Sequence, residues 1–88
     1  MSENSRIGFI GIMLEDISQT EAVNNAIHQY NQLVVARMGI PYRERGIAVI
    51  TLVVDGTNDE VSALTGRLGR IPGVTVKSML ERKRNPSC

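Results

Sequence analysis

Aromatic side chains are nearly missing from this chain, which has no tryptophan, one phenylalanine and two tyrosines in 88 residues, 3% in all. A core built from it must be aliphatic. The single cysteine, Cys88, excludes an internal disulfide. An excess of charge of one sign is missing too: 10 Lys and Arg against 9 Asp and Glu give a formal net charge of +1. That balance speaks against nucleic-acid or membrane binding by the protein as a whole, although Glu81-Arg82-Lys83-Arg84 is locally basic. There is no apolar run of membrane-spanning length and no signal-peptide pattern, so a cytoplasmic location is expected. Motifs of catalysis are absent as well.

What is present is hydrophobic patterning. Ile47 to Val54 reads IAVITLVV, apolar and β-branched at nearly every position, and Ile7 to Leu14 reads IGFIGIML. Runs of this kind are strands covered on both faces, in the middle of a sheet. Gly8 and Gly11 interrupt the first run on opposite parities, which points to close approach of other backbone or of a packed helix on both faces.

Taken in order, Met1 to Ser5 is a polar leader expected to fray (residues 1–5), followed by one folded domain over residues 6–81 and a basic flexible tail over 82–88. Ser18-Gln19-Thr20-Glu21 has the form of a capping box and opens a helix expected to run to about Arg37. Its apolar face is Val23, Ile27, Tyr30 and Val34, widened by Ala26 and Leu33. Gly39 to Arg43 reads as a short edge strand, because Pro41 cannot donate to a sheet ladder. Glu44-Arg45-Gly46 forms a hairpin loop with Gly46 in the left-handed position. Asp55-Gly56-Thr57-Asn58 ends the central strand, and Thr57 or Asn58 caps a second helix burying Val61, Leu64 and Leu68. Gly69 suits the end of that helix. Ile71-Pro72-Gly73-Val74 matches a type II turn leading to a last strand, Val74 to Leu80.

This order predicts an α+β fold, the ferredoxin-like βαββαβ sandwich, with a four-stranded antiparallel sheet (order 4132) and two helices on one face. The plan places the two apolar runs at its centre and the proline at an edge. It also leaves a problem. A domain of this size buries only roughly 60 to 65% of its unfolded surface, and two helices cover one sheet face, whereas both faces of the central strands are apolar. At roughly 1.5 to 3 kcal/mol per buried side chain, the uncovered face is worth on the order of 10 kcal/mol, comparable with a whole domain's stability. A second chain is expected there, in a homo-oligomer, dimer or tetramer.

The series Arg37-Met38-Gly39-Ile40-Pro41-Tyr42-Arg43, the apolar strand, Asp55-Gly56-Thr57-Asn58-Asp59-Glu60, Leu64-Thr65-Gly66-Arg67-Leu68-Gly69, and then Gly73-Val74 and Val76-Lys77 resembles the family of iron-only hydrogenase system regulators, from the first strand to Lys77. The resemblance implies a stand-alone ferredoxin-like regulatory domain akin to ACT domains and to the C-terminal sensing domain of nickel-responsive regulators. Such relatives are oligomers that bind a small effector or metal at subunit interfaces. Nickel-responsive regulators carry a DNA-binding ribbon-helix-helix segment ahead of the domain, for which Met1 to Ser5 is too short, so direct DNA binding is not expected. Their metal site uses several histidines and a cysteine. This chain has only His28 and Cys88, neither with metal-ligand spacing, so no metal and no cofactor is assigned.

Candidate effector ligands are therefore polar side chains. Arg37, Arg43 and Arg45 stand around the edge strand and can bind a carboxylate or phosphate bidentately, with Gly39 and Pro41 shaping a pocket beside them, or they can simply solvate the surface. Asp55, Thr57 and Asn58 offer an anion site through backbone amides at the second helix, or serve as turn and cap alone. Glu15-Asp16 reads as helix-start chemistry rather than an acid–base pair, and His28, among Asn24, Asn31 and Gln32, as an exposed or interface side chain. Met13, Met38, Met79 and Tyr42 read as core or interface filler.

The leading expectation is a non-enzymatic regulatory, ligand-sensing oligomer that acts through an unknown small effector and a protein partner. An isomerase or oxygenase of ferredoxin-like fold, with His28 or Tyr42 carrying the proton, is the enzymatic alternative. Nucleic-acid binding through Arg67, Arg70 and the tail is the third, and it lacks strand aromatics for base stacking beyond Phe9.

Overall fold

The computed structural model describes residues 5–82. The leader expected over 1–5 and the tail expected over 82–88, with Cys88, lie outside the described residues but for Ser5 and Arg82. The chain runs β1 (Arg6–Leu14), α1 (Thr20–Gln29), β2 (Val34–Tyr42), β3 (Ile47–Gly56), α2 (Asn58–Gly69) and β4 (Val74–Leu80). Its four strands form one sheet in the order β2-β3-β1-β4, each pair antiparallel. This is the ferredoxin-like α+β sandwich, with the two apolar runs as its central strands.

The pleat sorts the central strands strictly. Ile10, Ile12 and Leu14 of β1 and Ile50, Leu52 and Val54 of β3 are buried, and they form one cluster with Val23, Ala26 and Ile27 of α1 and Val61, Leu64 and Leu68 of α2. The buried core contains no aromatic residue among those described; Tyr30 packs only against its margin. Both helices therefore lie on the same face of the sheet.

Helix α1 ends at Gln29, well short of Arg37. A 3-10 turn over Asn31–Leu33 follows, in which the Leu33 N–H donates to the Tyr30 carbonyl at 2.9 Å, and β2 begins at Val34. The reason lies in β3. A strand confined to Gly39 to Arg43 would leave the outer edge of β3 near Leu52 and Val54 without hydrogen-bond partners, and the β-branched pair Val34-Val35 supplies them in extended form. A register shift between Val34 and Ala36 marks a bulge there.

The start of α1 also differs from the expected capping box. Asp16 Oδ1 accepts from the Ser18 N–H at 3.0 Å and from Ser18 Oγ at 2.6 Å, capping a 3-10 turn over Ile17–Gln19. Ser18 therefore lies inside this turn and not at the N-cap of α1, which is Gln19 and makes no side-chain capping bond. The box at α2 is complete: Thr57 Oγ1 accepts from the Glu60 N–H at 3.1 Å, and Glu60 Oε1 accepts from the Thr57 N–H at 2.8 Å. Between β2 and β3, Arg43–Arg45 forms a 3-10 turn, so Arg43 belongs to the loop and not to the strand, and Gly46 closes it at φ 66°.

Candidate functional site

The face of the sheet away from the helices carries the other half of the pleat. Across all four strands the register aligns Met79, Phe9, Val53 and Ala36 in one row, then Lys77, Gly11, Thr51 and Met38, then Thr75, Met13, Val49 and Ile40, with Tyr42 opposite Ile47 at the β2–β3 end. Lys77 is the one charge in these rows. Met79 and Met38 are each 62% exposed, Ile40 53% and Met13 51%. The apolar members of these rows form a patch across the sheet, broken by Lys77, Thr51 and Thr75, which makes this face a candidate interaction surface.

The two glycines of β1 have different surroundings. A Cβ at Gly8 would collide with the Met79 carbonyl and the Leu80 side chain, so close packing against β4 explains it. A Cβ at Gly11 would meet nothing nearer than the Lys77 carbonyl at 3.9 Å. Among the described residues nothing requires a glycine in the middle of this face.

The polar candidates fall into separate places. Arg37, Gly39 and Pro41 share the helix-side face of β2, where Arg37 Nη2 donates to Asn24 Oδ1 of α1 at 2.6 Å. Arg43 and Arg45 lie in the exposed turn at one end of β3. Asp55, Thr57 and Asn58 lie at its other end, about 27 Å away along the strand. The structure thus brings Arg43 beside Arg45, and Thr57 beside Asn58, but does not unite the two groups in one pocket. Thr57 is occupied as a cap, and Asp55 pairs opposite Ile7 on the open face. His28 is exposed on α1, whereas Tyr42 lies on the other side of the sheet, its hydroxyl 3.4 Å from Glu44 Oε2.

Two features escaped the sequence reading of the site. The helices leave an open cleft, where Asn25 of α1 faces Arg67 and Arg70 at the end of α2. At one corner of the sheet, Glu81 ties itself to β1, accepting from the Ile7 N–H at 2.8 Å through its carboxylate and donating its own N–H to the Ile7 carbonyl at 2.8 Å. Contacts between elements distant in the chain leave no periodic signal in the sequence, so neither could be read there. Among the described residues no group of three or more His, Cys, Asp or Glu could hold a metal ion, and no helix is long and apolar enough to cross a membrane.

Comparison with known proteins decides the family. The family model for TM1266-like proteins, "Iron-only hydrogenase system regulator, putative", matches residues 6–78. The chain belongs to the TM1266-like family. The solved structure of the uncharacterized protein TM1266 from Thermotoga maritima is 33% identical, covers 89% of this chain and 99% of its own, and superposes with a TM-score of 0.84. The ACT domain of GTP pyrophosphokinase from Chlorobium tepidum is 19% identical, with 94% of this chain and 96% of its own covered and a TM-score of 0.72. The C-terminal domain of the MgtC protein from Mycobacterium tuberculosis is 15% identical, with 92% and 93% covered and a TM-score of 0.68. At those identities the last two share the fold, and they make the TM1266-like chain ACT-like in architecture. Among curated proteins none matches it.

Proposed function

We propose that this TM1266-like chain is a non-enzymatic regulatory module. It works as a homo-oligomer closed over the open sheet face, senses a small polar effector, and passes the signal to a protein partner of an iron-only hydrogenase system. The observation that carries the reading is the open face itself: Phe9, Met13, Met38, Ile40, Val53 and Met79 all stand at least 37% exposed on the side of the sheet opposite the helices. A second copy fits this surface because its strand charges, Lys77 and Asp55, are few and of opposite sign, so little repulsion arises when the face meets itself across a two-fold axis. Gly11 in its middle row leaves room for a partner's side chain.

The family description and the ACT-like fold support regulation over catalysis. Native mass spectrometry of the purified chain tests the proposal. A dimer or tetramer is expected at micromolar concentration, and a bare monomer there would overturn it. Effector sensing is checked by a rise in melting temperature across a screen of amino acids, nucleotides and metal ions.

A further inference from the structure

On the helical side of the sheet, α1 and α2 do not close on each other along their whole length. They leave a cleft of about 470 Å³, within the range of small-molecule sites. One wall is α1 with Ala22 and Asn25, preceded by Gln19. The other is the end of α2 with Arg67 and Arg70, and Ile71 and Pro72 add an apolar part.

Its electrostatics are one-sided. Arg67 and Arg70 are three residues apart in the last turn and cap of α2, so they stand on one side of the helix. Among the described residues neither guanidinium has a hydrogen-bond or ion-pair partner, in contrast to Arg37, which is held by Asn24. No acidic side chain lines the cleft, while the amides of Gln19 and Asn25 supply further donors. Cations at a helix C-terminus do stabilise the helix, but that role requires neither a concave wall opposite nor neutral donors upon it.

We propose that this cleft binds a small dianion, a phosphate monoester or a dicarboxylate, with Arg67 and Arg70 as its paired cationic ligands and Asn25 as a neutral donor. Guanidinium forks match both oxyanions bidentately, and two neighbouring positive charges in a cleft lined by no carboxylate favour two negative charges over one. The apolar part gives the ligand's carbon body a surface. The site deepens the effector-sensing part of the function proposed above. It lies on the opposite side of the sheet from the oligomer face, so a dimer closed over that face leaves it open.

The test is an amide-resolved NMR titration of the full chain with inorganic phosphate, with O-phosphoserine and with succinate, each against sodium chloride at matched ionic strength. Saturable shifts centred on Ala22, Asn25, Arg67 and Arg70 are expected with at least one of the dianions and not with chloride, and the three arms separate phosphate from dicarboxylate preference. The exposed double substitution Arg67→Gln with Arg70→Gln should weaken the binding roughly tenfold or more. Shifts that never saturate, that chloride reproduces, or that persist unchanged in the double variant would overturn the site. Binding of an RNA oligonucleotide alone, with none of the three dianions, would also overturn it. Sedimentation of the same samples reports the oligomer separately: an intact oligomer with a silent cleft refutes this site alone, and a monomer that still binds phosphate refutes the interface alone.

Discussion

Phe9 and Val53 are register partners on the two central strands and remain 40% and 37% exposed, while the adjacent pair, Ile10 and Leu52, is wholly buried beneath the helices. One step along each strand separates the finished core from an apolar face that the single chain leaves open. Placing a carboxylate in that face should therefore separate folding from association. Val53→Glu or Phe9→Glu is expected to keep the far-ultraviolet circular dichroism of the native chain and to weaken self-association by roughly 100-fold or more, because an unpaired carboxylate buried in an apolar interface costs several kcal/mol. Sedimentation velocity across a concentration series measures it, and unchanged sedimentation would remove the face from the interface.

The contrast between the two faces extends to stability. Leu52 is fully buried between the central strand and the helices, so Leu52→Ala should cost about 2 to 5 kcal/mol and lower the melting temperature by roughly 10 °C or more. Met38, at 62% exposure, should behave differently. Met38→Ala is expected to leave the melting temperature of dilute protein within about 2 °C of the parent and to lower it only where the oligomer is populated, a dependence on concentration that buried-core substitutions lack. Calorimetry at two concentrations distinguishes them.

The strands' places in the sheet could be read from the chain because each constraint pointed the same way: Ile7 to Leu14 and Ile47 to Val54 were apolar on both parities, and Pro41 marked the edge. The boundary of α1 could not. Val34 continues the helical spacing of Val23, Ile27 and Tyr30, and what takes it into β2 is the non-local need of β3 for a partner along its full edge. Ser18 misled for a local reason, since a hydroxyl that fits a capping box fits equally well the carboxylate two residues before it. The open face was legible as a surplus of apolar residues. The arginine group was not, because Arg37 is turned to the helix side of β2 and held by Asn24 of α1, a contact between elements distant in the chain, while Arg43 and Arg45 lie in the turn beyond the strand.

Thr57 and Glu60 satisfy each other's backbone N–H groups at the start of α2, the helix that places Leu64 and Leu68 in the core. Thr57→Ala should cost about 1 kcal/mol, and Thr57→Ser, which keeps the accepting oxygen, a few tenths at most. Urea midpoints at constant slope give both values. Equal midpoints for the two variants would mean that the hydroxyl contributes nothing and that solvent caps the helix as well.

Gly46 and Gly73 hold similar backbone angles, φ 66° and 76°, in different surroundings. A methyl group at Gly46 would meet nothing within 4 Å, whereas one at Gly73 would sit 2.6 Å from Asp16 Cβ and 3.2 Å from the Asp16 nitrogen. Gly46→Ala should therefore cost only the left-handed backbone term, about 1 to 2 kcal/mol, and Gly46→Asn less. Gly73→Ala adds a collision at the residue that caps the turn before α1, beside the 2.7 Å bond from the Glu15 N–H to the Gly73 carbonyl. Its cost is expected to be at least about twice that of Gly46→Ala. The same urea midpoints decide it: matching losses at the two glycines would show that Asp16 yields freely, and that the turn before α1 is held by its hydrogen bonds rather than by its fit against Gly73.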